Sequence, residues 1–173
     1  MNILLNKSQT ELLEEAKIRG LCAAYSADME ALLLRVILYC IVDDPSVAYR
    51  EFSKMTLGSK IHWAQKDLMK YFPDKYNTHE QDFKWLWQFN EYRGRLIHGD
   101  IIWIPNDFNN FYVMAIEEIN GEWRITPVHH TRVDVVKKLA EFGKLIINFA
   151  ETAKDIIQTV ETKYPELNKS SQA

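Results

Sequence analysis

Eight apolar residues in the last quarter of the chain, Val135, Leu139, Phe142, Ile146, Phe149, Ala153, Ile156 and Val160, step alternately by four and three positions. That period belongs to an α-helix carrying its apolar side chains on one seam. A helix of this kind gains most of its stability from whatever covers the seam. Other helices of an antiparallel bundle can do so within one chain, and a second copy of the chain can do so across a dimer. Thr131-Arg132-Val133-Asp134 opens this helix, and it should run to about Lys163.

The remainder supplies the helices such a bundle needs. Ser8-Gln9-Thr10-Glu11 fits a capping box, in which hydroxyl and carboxylate satisfy each other's free amides. It predicts a helix over residues 8–19, with Gly20 as its stop or kink. Residues 23–42 are apolar on every side, the pattern of a central buried helix, in which Glu30 and Arg35 would need partners. Asp44 before Pro45 opens a short helix to about residue 55, and Thr56 caps another to about residue 71. Thr78-His79-Glu80-Gln81 is a second capping box, opening a helix over 78–98 that Gly99 ends. Trp85, Phe89, Tyr92 and Leu96 form its core-facing stripe.

Between residues 101 and 128 the period changes to strand-like runs, and Asn120-Gly121 between two of them is a strong hairpin signal. The expected fold class is therefore mainly α, an antiparallel helical bundle with a small antiparallel β-hairpin or three-stranded sheet inserted near 101–128. With 173 residues, 47% of them hydrophobic, one core needs no staple. A single domain over residues 1–165 is expected, followed by a frayed tail at 166–173. Cys22 and Cys40, on one helix, would lie about 27 Å apart and cannot bridge within the chain.

A net charge of -3 rules out a protein that grips nucleic acid over its whole surface. The charge is uneven, however: residues 45–77 hold six Lys/Arg against three Asp/Glu, a solvated face or a local phosphate-attracting patch. The longest apolar run falls well short of the roughly 20 residues of a membrane span. The first residues lack the basic and apolar regions of a secretory leader, so a cytoplasmic location is expected. Glycine-rich phosphate loops, His-Glu-x-x-His and paired Cys/His spacings are absent from the sequence, and no metal or cofactor is expected.

What remains for chemistry is the end of the 78–98 helix, Phe89-Asn90-Glu91-Tyr92-Arg93-Gly94-Arg95-Leu96-Ile97-His98-Gly99-Asp100. Asn90 and Arg93 share one helical face, while Gly94 sits one turn below His98. An interior glycine costs about 1 kcal/mol relative to alanine, which leaves two readings, a close approach by another backbone or a phosphate, and a simply tolerated glycine. His98 in the last turn could settle the free carbonyls of a helix end, and Arg93 could pair with Glu30 or a carbonyl.

Arg93-x4-His98, ending a helix in an all-helical setting and followed by Gly99, resembles the signature of the HEPN superfamily. Met29-Glu30-Ala31-Leu32-Leu33 and Thr56-Leu57-Gly58-Ser59-Lys60-Ile61 are weaker matches. The resemblance implies a homodimer whose two motifs line a shared cleft and cleave RNA without metal, as in toxins and phage-defence effectors held by an antitoxin or regulatory protein. Arg93 and His98 would be catalytic, and Asn90 and Arg95 would contact RNA. Two departures stand out: Gly94 occupies the place of a polar residue, often Asn, and Asp100 that of the tyrosine of toxin-type members. The alternative expectation is a non-catalytic HEPN-like dimer that binds RNA, a nucleotide or a protein partner.

Overall fold

A computed structural model describes residues 7–40 and 45–164. The chain is mainly helical, in the order α1 (Gln9–Cys40), α2 (Pro45–Phe52), α3 (Leu57–Tyr71), α4 (Pro73–His98), β1 (Asp100–Ile104), β2 (Asp107–Ile119), β3 (Glu122–Thr131) and α5 (Arg132–Lys163). It divides into two compact units, Met1–Tyr25 with Glu91–Phe142, and Ser26–Asn90 with Gly143–Ala173.

In the first unit the strands form an antiparallel sheet of order β1-β2-β3. Asn120 and Gly121, with φ of 54° and 81°, make the expected hairpin turn. A second tight turn was not anticipated: Pro105-Asn106, with Asn106 at φ 62°, connects β1 to β2 beside a register shift after Trp103. Strand β2 therefore starts at Asp107, whose carboxylate accepts from the Asn109 amide and the Asn110 side chain at 3.0 and 2.7 Å. One sheet face carries Ile101, Trp103, Phe111 and Val113 into a core shared with Ile18, Cys22, Leu96, Val135 and Leu139. The pleat turns Ile116, Trp123 and Ile125 to solvent.

In the second unit Met29, Leu33 and Ile37 of α1, Ile61 and Leu68 of α3, Phe83, Leu86 and Phe89 of α4, and Phe149 and Ile156 of α5 are fully buried. Phe83 and Phe149 meet edge to face at 5.5 Å. Glu30 finds its partner in Lys60, which is itself buried and lies 4.6 Å over the Phe52 ring. Arg35 points to solvent instead. Lys75 and His79 both reach Asp155 at 2.8 Å, and Thr152 donates to Asp82 at 2.7 Å.

All eight seam residues of α5 are buried, Val135, Leu139 and Phe142 in the first unit and the other five in the second. The chain covers its own seam, so this stripe does not serve as a dimer contact.

Three helix boundaries differ from expectation. Gly20 neither stops nor kinks α1, which runs unbroken for 32 residues. The cost of one helical glycine, about 1 kcal/mol, is outweighed by burial of Ile18 and Cys22 on either side of it. Thr78 does not cap: α4 begins five residues earlier at Pro73, which needs no amide partner in a first turn. The Thr78 hydroxyl donates to the Asp74 carbonyl at 2.9 Å, as a helix-interior threonine does. Helix α2 ends at Phe52 rather than residue 55. The capping roles of Ser8, Thr56 and Thr131 stand as expected. Trp85 is exposed, and the stripe of α4 that enters the core runs through Phe83, Leu86, Phe89 and Leu96. Val42, Asp44 and the tail at 166–173 lie outside the described residues.

Candidate functional site

Helix α4 keeps α-helical form through His98. The Gly99 amide donates to the Arg95 carbonyl at 2.8 Å, closing the last turn. Gly99 is the junction to β1, and the reason only glycine fits is steric. A Cβ there would lie 2.6 Å from both the Arg95 carbonyl oxygen and Val113 Cγ1, and 3.1 Å from the Met114 carbonyl oxygen. Its φ is not in the left-handed region, so it ends the helix through close approach of β2 rather than through turn conformation.

The carbonyls at this helix end are taken by Arg19 of α1. Its guanidinium donates to the Ile97 carbonyl, donates to the Gly99 carbonyl at 2.9 Å, and pairs with Glu15 at 2.7 Å. Sequence reasoning placed Arg19 only at the end of the first expected helix, and its distant role was missed. His98, expected as the cation that settles these carbonyls, is relieved of that duty. Its imidazole is exposed and makes no hydrogen bond or ion pair among the described residues.

Arg93 is half-buried on the side of α4 that faces Cys22. Burial pushes the Cys22 thiol up to about 11, against the opposing pull of the Arg93 and Arg19 guanidinium groups. Arg95 is exposed and acts on a second histidine, His130 of β3. The His130 ring stacks on Phe111 at 5.7 Å and meets Tyr92 edge-on at 6.0 Å. Its Nε2 is buried without a hydrogen-bond partner. Burial first, then the charges of His129 and Arg95, hold the His130 imidazole below its usual range. The sequence showed His130 only as half of an adjacent pair, and the strand alternation that turns it inward is the signal that could have found it.

Asn90 belongs to the second unit, where its side-chain amide packs against Gly58 of α3; a Cβ on Gly58 would meet Asn90 Nδ2 at 3.2 Å. Gly94 is open, with nothing within 4 Å of a Cβ built there. No backbone approaches it, contrary to one reason expected for its presence and in keeping with a simply tolerated glycine. Arg93 is likewise not the partner of Glu30, which Lys60 holds. Among the described residues, no group of His, Cys, Asp or Glu is arranged to hold a metal ion.

The regular helix separates Arg93 from His98 by about 7.5 Å of rise and about 140° of rotation. One α4 therefore presents the two side chains in different directions. No family model, no curated protein and no solved structure matches this chain.

Proposed function

We propose that this chain is a HEPN-like, metal-independent endoribonuclease that acts as a homodimer, with Arg93 and His98 as its catalytic residues. One observation carries the proposal: His98 stands exposed at the end of α4 while Arg19, not the histidine, donates to the Ile97 and Gly99 carbonyls there. An imidazole without a structural task beside an arginine-bearing helix face suits proton transfer at a phosphate. The ribose 2'-hydroxyl attacks the adjacent phosphorus as its proton passes to a base. The bond from phosphorus to the 5'-oxygen breaks, and that oxygen leaves protonated. His98 serves as base or acid, Arg93 stabilises the charge gathering on the phosphate, and Asn90 and Arg95 hold the strand. Products carry 2',3'-cyclic phosphate and 5'-hydroxyl ends.

The divergence of Arg93 and His98 along one helix motivates the homodimer, since residues from two copies can face one phosphate. The partner surface is not the α5 seam. A toxin or phage-defence role in the cytoplasm, restrained by an antitoxin or regulatory protein, is the biological setting this chemistry suits.

The test is incubation with single-stranded RNA in EDTA. Wild type yields cyclic-phosphate ends, and His98→Ala and Arg93→Ala lose cleavage while keeping the wild-type circular dichroism spectrum. Cleavage by His98→Ala at the wild-type rate overturns the proposal.

Gly94, in a place where the family usually has a polar residue, favours a second reading, a non-catalytic HEPN-like dimer that binds RNA, a nucleotide or a protein. RNA affinity without turnover in the same assay supports it.

A further inference from the structure

The second unit holds an open groove of about 570 Å³ that the Arg93/His98 motif does not use, lined by Met55, Gly58, Ser59, His62, Trp63, Lys66 and Trp87. Its walls are two tryptophans, and one of them is fixed by its polar edge. The Trp87 indole N–H donates to Gln65 Oε1 at 2.7 Å, and the Trp63 side chain lies beside the Asp67 carboxylate. A tethered indole edge leaves the ring face as the binding element and lowers the entropy lost when a ligand stacks on it. Gly58 belongs to the same arrangement: a Cβ there would touch Trp87 Cζ3 at 3.4 Å, which places that ring against α3.

The charge is one-sided. Lys66 and His62 are exposed and make no hydrogen bond or ion pair among the described residues, and no carboxylate lines the groove. Asp67, the acidic residue of α3, is buried, and the Lys66 and Lys70 charges act on its carboxylate from the surface. Two aromatic faces beside an exposed ammonium and imidazole match an unpaired base joined to a phosphate: every base has a face to stack, and the backbone supplies the anion.

We infer that this groove binds an unpaired nucleotide of single-stranded RNA, its base against Trp63 and Trp87 and its phosphate at Lys66 and His62. The choice of RNA over other aromatic anions rests on the proposed ribonuclease reading. The binding itself needs neither Arg93 nor His98.

The experiment is fluorescence anisotropy with a labelled eight-nucleotide unpaired RNA, its duplex, and adenosine monophosphate as competitor, in EDTA, on the His98→Ala protein so that no strand is cut. Lys66→Ala and His62→Ala, both exposed positions, are compared with Trp87→Leu, and Trp63→Phe keeps an aromatic face. Loss of one stacked base predicts affinity for the unpaired strand falling about tenfold or more in Trp87→Leu. Lys66→Ala weakens it several-fold and flattens its salt dependence, while Trp63→Phe retains most of it. Duplex binding stays at the wild-type level throughout. If Lys66→Ala and Trp87→Leu, each with a wild-type unfolding midpoint, bind the unpaired strand as the parent does, the inference fails whether or not the protein cleaves RNA. Equal loss with duplex also overturns it, since that marks a general anion patch. Competition by the mononucleotide at concentrations near the oligomer's Kd overturns the strand as occupant in favour of a free nucleotide. Unpaired-strand binding that depends on Trp87 in a protein without cleavage upholds the groove and refutes only the catalytic reading.

Discussion

The Arg19 guanidinium donates to the carbonyl oxygen of Gly99 at 2.9 Å, tying the eleventh residue of α1 to the residue that ends α4, 80 positions away. A helix leaves its last carbonyls without internal partners, and here one distant side chain answers two of them while held by Glu15.

Arg19→Met should therefore destabilise the protein by about 1–3 kcal/mol, the cost of leaving half-buried acceptors unsatisfied. Urea unfolding monitored by circular dichroism measures it. His98→Ala, by contrast, should stay within about 0.5 kcal/mol of wild type, as surface substitutions do. A large loss in His98→Ala would mean the histidine carries structure after all.

Two glycines five residues apart should respond oppositely to the same methyl group. Gly94→Ala meets nothing and should stabilise α4 by up to about 1 kcal/mol. Gly99→Ala forces a Cβ into Val113 and two backbone carbonyls and should cost about 1–3 kcal/mol or more. Thermal midpoints of the two variants, measured side by side, decide it.

Cys22 is fully buried and its thiol is pushed up to about 11 by that burial, so almost no thiolate exists at pH 8. Iodoacetamide should leave Cys22 unmodified in the folded protein and label it fully in denaturant. Peptide mass mapping distinguishes Cys22 from Cys40.

Acid should weaken the protein in two steps. Half-buried His130 is held below its usual range, so the unfolded chain binds its proton first. That contribution is intact above the unfolded value near 6.5 and is lost as pH falls toward the folded value. Asp155 is held below its usual range by hydrogen bonds from His79 and Lys75. Its contribution is intact above the ordinary aspartate value and disappears as pH falls through the folded one. Unfolding midpoints should thus decline below about pH 6.5, and His130→Phe should remove the upper part of that decline.

What the sequence revealed of the fold was whatever local chemistry decides. Ser8, Thr56 and Thr131 cap helices because their hydroxyls act on amides three residues on, and Asn120-Gly121 turns because positive φ demands it. The α5 seam was visible as a period, and its residues are buried. Gly20 and Thr78 misled because each carries a local preference of about 1 kcal/mol that packing overrides. At the candidate site, the position of Arg93 and His98 at the end of α4 could be read directly. Arg19 could not, because its partners are 78 and 80 residues away. Nor could the inward turn of His130, which depends on the register that sets Phe111 opposite it.

Gly99 bears the steric demand of the junction and Arg19 its electrostatic one, which leaves position 98 between them with neither. Constraint and latitude thereby fall on adjacent residues. Position 98 at the tip of α4 can change without renegotiating the scaffold, whereas the glycine beside it admits no such experiment.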